Sequence, residues 1–341
     1  MDLFITSKPG YESILTSELG LYNFNATNSR AGWVFIESAP QTKNNQQNYL
    51  FELCFAQTIL KDPFEIKAKS ANALASELTD LFMTSIKEKR IDSQWPYYFG
   101  SANKEKLYQR TKTVEGVWLK NISKRLSRVS KLLTREIPYR PEFSEGFFVY
   151  LIDFDHAIIS SSALSLGQKR IHMDPESPSR SYLKIEEAYR IIGTEPSKNE
   201  KVVDLGASPG GWSYSALKRS AQVTAVDNGR LKEPVKSHPN IIHLKEDALK
   251  FEPRKKFDWL FCDMIENPDL ILNLLNKWLE NSWCSHFVVN LKIGRGDPIL
   301  LLKKIKDLKL GLIPHCNLLK IRHLYHDRGE ITLVGKHISQ I

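Results

Sequence analysis

Hydrophobic and polar positions follow two different patterns along this chain. In the first half, short apolar runs alternate with long amphipathic stretches. Residues 2–6 and 32–37 predict strands around a helix over 11–19, a compact βαβ start. Residues 50–60 and 71–90 show helical spacing, the second stretch through Leu74, Leu78, Leu81 and Phe82. The polar run QTKNNQQN, 41–48, predicts a loop between them. Leu119, Ile122, Leu126, Val129, Leu132 and Leu133 continue a helical period, which buries one face and turns Lys124, Arg125, Arg128 and Lys131 outward. GFFVYLIDFD, 146–155, predicts a strand, and SSSALSLGQKR, 160–170, a second with turns. DPESPSR, 174–180, has two prolines and no apolar residue, so a domain boundary belongs close to it; the expected domains are 1–170 and 171–341.

Beyond that boundary the pattern becomes a regular alternation of helix and strand, the signature of a parallel sheet. VVDLGASPGGW, 202–212, reads as a buried strand, a glycine-rich turn and a helix start. Glycines let the backbone approach a ligand closely, and such a turn at the carboxyl edge of a parallel sheet forms a nucleotide-type pocket. It lacks the Lys-Ser/Thr of a P-loop and the G-x-G-x-x-G spacing, which favours a nucleoside without a pyrophosphate, S-adenosylmethionine above all. The donor's carboxylate would suit the positive end of the next helix. An ordinary strand–helix turn is the bland alternative.

Four later strands also end in polar residues: QVTAVD at Asp227, IIHLKED at Asp247, FDWLFCD at Asp263 and FVVNLK at Lys292. With Asp204, these should converge on one crevice. Asp227 is spaced to accept from ribose hydroxyls and Asp247 to accept from an adenine amino group; each alone is more commonly a helix cap or turn residue. Lys292 ends an apolar strand, where an unpaired ammonium is costly. Burial and a second ammonium, Lys184, would depress it into a general base, while Asp263 and Glu330 orient it at some cost in the opposite direction. LYHDRGEITLVGK, 324–336, reads as two strands joined by His326–Gly329, with Glu330 after the turn. His323 and His326 read as strand residues, structural or RNA-facing. A plain salt-bridge network at a sheet edge is the competing reading of these Lys and Glu residues.

Charge narrows the choice of partner. The chain has 341 residues, 42% hydrophobic and 26% charged, with a net charge of +9, so it is a globular protein suited to an anionic partner. Residues 104–140 hold eleven Lys or Arg against three Glu, eight of the nine net positive charges. With Tyr108, Trp118 and Tyr139 as stacking surfaces, this stretch favours a phosphate-tracking patch over a merely solvated face, and it disfavours a small-molecule methyltransferase. Four scattered cysteines without a C-x-x-C pair fit a reducing compartment and neither a disulfide framework nor a metal site. The N-terminal apolar run is too short for a signal peptide, and no run reaches membrane-spanning length; the expectation is a cytoplasmic protein.

Taken in order, Lys184, Asp263, Lys292 and Glu330 resemble the K-D-K-E tetrad of FtsJ-type RNA ribose 2′-O-methyltransferases. SRSYLKIEEA, DLGASPGGW, VDNG, CDM, NSWC, NLK and LYHDRGE resemble the large-subunit ribosomal RNA methyltransferase M family over essentially all of 177–336. KPGYESILTSEL and CFAQTI resemble its N-terminal landmarks, whereas 41–145 does not align well enough to transfer RNA-contacting residues. The resemblance implies a Rossmann-like α/β catalytic sheet preceded by an α+β, ferredoxin-like or THUMP-type, RNA-binding region. It implies methyl transfer from S-adenosylmethionine to the 2′-hydroxyl of a cytidine in 23S rRNA, with no metal. By that resemblance Ser181, Ser208, Pro209, Gly210, Gly211, Asp227, Asp247 and Asp263 contact the cofactor, and Lys292 is the proton acceptor. Ser181 is alternatively the N-cap of its helix. Ser208 stands where a Cys is often seen, and Gly329 where an acid is; neither removes a reacting group. Competing readings are a 2′-O-methyltransferase of tRNA or a cap, and a non-catalytic cofactor-binding assembly factor.

Overall fold

The apolar runs of the second half line up side by side as strands of one sheet. In the computed structural model, which describes residues 1–37, 49–102, 104–294, 296–307 and 311–338, the chain divides into two units, Met1–Leu166 and Gly167–Ile341. The expected polar loop at 41–48 lies outside the described residues.

The first unit contains β1 (Leu3–Ser7), α1 (Glu12–Gly20), β2 (Asn28–Arg30), β3 (Trp33–Ile36), β4 (Ala56–Lys61), β5 (Phe64–Lys67), α2 (Ala71–Ile86), β6 (Trp95–Ser101), α3 (Lys104–Arg125), α4 (Ser127–Ser130), β7 (Leu133–Arg135), β8 (Ser144–Leu151) and β9 (His156–Ser165). Its strands run β2-β3-β1-β4-β9-β8-β6-β7, with β5 also on β9. Three expectations change here. The opening is not a parallel crossover: β2 and β3 form a hairpin, so β3 returns antiparallel to β1. Residues 56–61 are a strand, because AQTILK is claimed by pairing to β1 and β9 on either side. The basic helix ends at Arg125: Leu126 leaves helical geometry with φ −141°, α4 adds one turn, and Leu133 enters β7. Lys124, Arg125, Arg128 and Lys131 are exposed as expected, but Trp118 is fully buried against Phe82 and Phe147 and offers no stacking surface.

The second unit contains α5 (Tyr182–Ile192), β10 (Lys201–Leu205), α6 (Gly211–Lys218), β11 (Gln222–Val226), β12 (Ile241–Leu244), β13 (Phe257–Cys262), α7 (Pro268–Glu280), β14 (Cys284–Lys292), α8 (Pro298–Ile305), β15 (Cys316–Arg322) and β16 (Glu330–His337). The sheet order is β12-β11-β10-β13-β14-β16-β15. The first five strands are parallel; β16 runs antiparallel to β14, and β15, antiparallel to β16, runs again in the direction of the first five. This is a doubly wound α/β sheet, in which ligands bind outside the carboxyl ends of the strands where the order reverses, next to β10. Helix starts are capped as the sequence chemistry requires: Asn267 accepts from Asp269 N at 2.8 Å and Asp297 from Ile299 N at 2.7 Å, each followed by Pro at the first turn. The last two strands differ from expectation. β15 ends at Arg322, and 323–329 is a non-strand connection rather than strand plus tight turn. His323 and His326 therefore lie in a connection, where His323 Nε2 meets Arg328 O at 3.0 Å and His326 Nε2 accepts from Ile171 N at 2.8 Å. Among the described residues, no helix is long and apolar enough to cross a membrane, and no group of His, Cys, Asp and Glu is arranged to hold a metal.

Candidate active site

A cavity of about 230 Å³ opens at the carboxyl edge of β10, β13 and β14. The glycine turn supplies Gly206, Ala207, Ser208 and Pro209; strand ends supply Asp204, Asp263 and Lys292; the approach to α5 supplies Ser179 and Ser181. Two glycines explain how these segments come so close. Gly210 takes φ +113° ahead of α6. A Cβ on Gly211 would sit 2.3 Å from Ser179 Oγ and 2.4 Å from Ser181 Oγ, so only glycine lets both hydroxyls reach the start of α6. Ser181 does not cap α5 through its side chain: its hydroxyl pairs with Ser179 at 2.7 Å, and its carbonyl accepts from Trp212 Nε1 at 2.9 Å.

The expected carboxylates occupy three kinds of place. Asp263 lines the cavity. Asp227 braces the turn, accepting from Ser208 N at 2.9 Å and Gly229 N at 2.6 Å. Asp247 does not line the cavity; it is exposed and accepts from Leu249 N at 3.0 Å. The reason is topological: β12 is the edge strand, so its end lies furthest from β13 and β14.

Asp204 lines the cavity but is almost completely buried, and Ser213 Oγ donates to it at 2.6 Å. Burial pushes its carboxyl up to about 7; the Ser213 hydrogen bond opposes the rise, and Asp263 and Asp227 add to it. Because the folded-state value is raised, this group's contribution to stability is greatest below the unfolded value near 4. It declines as pH rises towards 7, by on the order of 4 kcal/mol in all. Asp204→Asn removes this titration. The variant should therefore melt higher relative to wild type at pH 8 than at pH 5, and equal differences at both pH values would refute the burial argument.

Four side chains form a closed, charge-balanced ring at the far wall. Lys292 Nζ donates to Asp263 Oδ1 at 2.7 Å and to Glu330 Oε2 in a very short contact. Lys184 Nζ lies 2.6 Å from Glu330 Oε1 and 3.4 Å from Asp263 Oδ2. No side chain of the four is more than 23% exposed. Sheet register produces this arrangement: in the β14–β16 pair, Lys292 lies directly opposite Glu330 and Asn290 opposite Thr332, on one face. The expected depression of Lys292 is reversed. Burial lowers it, but Asp263 and Glu330 outweigh burial and hold the ammonium above the ordinary lysine value. Burial likewise raises Glu330, yet Lys184 and Lys292 pull it below its usual range. Lys184 acts mainly on the carboxylates, not as a repelling neighbour of Lys292.

Several participants were not singled out from sequence. Asn290 donates to Asp263 Oδ1 at 2.9 Å and accepts from the Thr332 hydroxyl. It lies two residues before Lys292 in a strand, which places both on one face, and that spacing was the available signal. Glu187, in α5, is completely buried and accepts from Lys169 N at 3.1 Å, Tyr325 N at 2.8 Å and His326 N at 3.3 Å. Ile265, 89% exposed at the cavity rim, lies two residues beyond Asp263.

Comparison with known proteins agrees with this geometry. The FtsJ-like methyltransferase family model matches residues 178–286. The ribosomal RNA large subunit methyltransferase M of Aggregatibacter aphrophilus is 42% identical over 184 residues, 50% of this chain and 51% of that protein. That of Vibrio parahaemolyticus is 38% identical over 194 residues, 53% and 54% respectively. The chain thus spans about half the length of these two relatives. The enzyme of the same name from Pasteurella multocida is 31% identical over 372 aligned positions, covering 97% of this chain and 97% of that protein. With both the catalytic-domain match and a relative aligned almost from end to end, the chain belongs to the ribosomal RNA large subunit methyltransferase M family of S-adenosylmethionine-dependent RNA methyltransferases.

Proposed function

We propose that this protein transfers a methyl group from S-adenosylmethionine to the ribose 2′-hydroxyl of a cytidine in 23S rRNA, in the cytoplasm. The observation that carries this reading is the shared cavity: the glycine turn and the Asp263–Lys292 pair line one space. Ser208, Pro209, Gly210 and Gly211, with Ser181 beside them, form the cradle for the donor, and Asp227 keeps the turn in shape. The close approach of Ser179 and Ser181 to Gly211 leaves backbone and small side chains along the turn, a surface that suits an extended nucleoside ligand. Asp247 would serve the adenine end only from outside the cavity. When bound, S-adenosylmethionine supplies an electrophilic sulfonium methyl.

The protein's own task is to hold the hydroxyl and take its proton. A hydroxyl is a weak nucleophile until that proton leaves, and Lys292 Nζ is the proposed acceptor. The resting ammonium must first release a proton, and the short contact to Glu330 provides an adjacent carboxylate. Lys184 balances the two carboxylates so that the ring is neutral at rest. Fixing the nucleophile in line should supply much of the remaining rate.

The N-terminal unit is the proposed THUMP-type RNA-binding part. Exposed Lys124 and Lys131 carry most of the argument, because Arg125 and Arg128 already face Asp80 at 2.7 Å and Asp92 at 2.6 Å. Tyr108, 48% exposed with Lys112 over its ring, offers a stacking surface. Neutralising Lys124, Arg125 and Arg128 together should flatten the salt dependence of RNA binding, by less than three full phosphate contacts; an unaltered slope removes this helix from the interface. The function itself is tested by incubating the protein with labelled cofactor and unmodified 23S rRNA and mapping alkali-resistant linkages. One resistant linkage 3′ to a cytidine is expected. Label on a base, or label only in tRNA or a cap, would overturn the assignment.

A further inference from the structure

Behind the ring runs a chain of side chains that never touches the cavity. Thr332 Oγ1 lies within hydrogen-bond reach of Asn290 Oδ1 on one side and 3.0 Å from Asp327 Oδ2 on the other. Asn290, Thr332 and Asp327 are all completely buried. Protons can be counted along this chain. Asn290 Nδ2 donates to Asp263 Oδ1, which turns the Asn290 carbonyl towards Thr332. The Thr332 hydroxyl has one proton, and the Asn290 carbonyl needs it. The contact to Asp327 then has no proton from threonine, so Asp327 must supply it. If Thr332 donated to Asp327 instead, two bare oxygens of Thr332 and Asn290 would be pressed together. Turning the Asn290 amide over would place its oxygen against the Asp263 carboxylate.

On the reading of Asp263 and Lys292 given above, we propose that Asp327 is a protonated positioning residue. Through Thr332 it fixes the Asn290 amide, and so aims Asp263 at Lys292. The surroundings agree. Burial, with Glu330 and Glu187 nearby, pushes the Asp327 carboxyl well up, against Lys184 and the Leu324 N–H, which donates to it at 2.9 Å. No covalent step is involved; the chain sets an orientation.

The test compares variants by donor rather than by size. Thr332→Val keeps the shape and removes the hydroxyl. It should lower kcat about tenfold, with the RNA KM and the cofactor dissociation constant unchanged. Thr332→Ser should restore the rate. In Asp327→Asn the amide oxygen can keep the place that accepts from Leu324 N while the amide nitrogen, in place of the oxygen 3.3 Å from Thr332 Oγ1, donates to the threonine, so the variant should stay within about threefold of wild type. That variant serves even if Thr332→Val does not fold: a kcat in Asp327→Asn as low as in Asp327→Ala would overturn the relay. A wild-type kcat in Thr332→Val, alongside an inactive Lys292→Ala, would overturn the relay and leave the function standing. An active Lys292→Ala would overturn both.

Discussion

Replacing Lys292 with alanine is expected to lower kcat by at least about a thousandfold, the scale of a lost proton acceptor, while cofactor affinity measured by calorimetry changes by less than about threefold. Arginine separates the two roles a lysine can play at this position. A guanidinium keeps the positive charge between Asp263 and Glu330 but does not give up a proton. Lys292→Arg should therefore be as inactive as Lys292→Ala; substantial turnover in the arginine enzyme would assign Lys292 to charge balance instead. The wild-type pH profile carries the same information. Asp263 and Glu330 hold Lys292 above the ordinary lysine value, so the amine is the minority form at neutral pH. The chemical step should accelerate about tenfold per pH unit from neutrality upward, because each unit raises the amine fraction tenfold. A flat profile from pH 7 to 9 in single-turnover assays would contradict proton acceptance by this group.

Glu187→Ala is expected to cost about 3 kcal/mol of stability, seen as a melting temperature lower by on the order of 10 °C. The carboxylate is completely buried and accepts from three backbone N–H groups, of Lys169, Tyr325 and His326. Alanine would leave buried donors unpaired. Glutamine would not rescue fully, because its amide turns a donor towards other donors. The loop it anchors leads directly into Glu330, so loss of activity should accompany loss of stability. A melting temperature within about 1 °C of wild type would show that water takes over these donors.

The catalytic unit was legible because its signals are local and repeated. Strands β13 and β14 carry apolar stretches, WLFC and FVV, shortly before Asp263 and Lys292, and the glycine turn sits between a strand and a helix. What escaped depended on partners distant in sequence. The run at 56–61 is too short for its period to separate strand from helix, and pairing on both sides decided it. Trp118 could serve a surface or a core equally well until Phe82 and Phe147 closed over it. Asp247 follows the apolar run of β12 much as Asp263 follows that of β13, but β12 stops three residues earlier, at Leu244, and only the strand order reveals that it lies at the margin. The direction of the Lys292 shift depended on how closely Asp263 and Glu330 face it, which spacing in the sequence does not reveal. Asn290 and Thr332 look like ordinary strand residues until the register sets them opposite each other.

That register has an evolutionary corollary. Lys292 and Glu330 meet as rungs of one ladder, although α8 and β15 intervene along the backbone. Lineages are free to lengthen, shorten or redecorate that excursion, since the rungs stay aligned however long the detour between them. Slippage of β16 by a single rung would turn Glu330 to the opposite side of the sheet from Lys292. Natural variation should therefore gather in the excursion and spare the spacing from Asn290 to Lys292 and from Glu330 to Thr332.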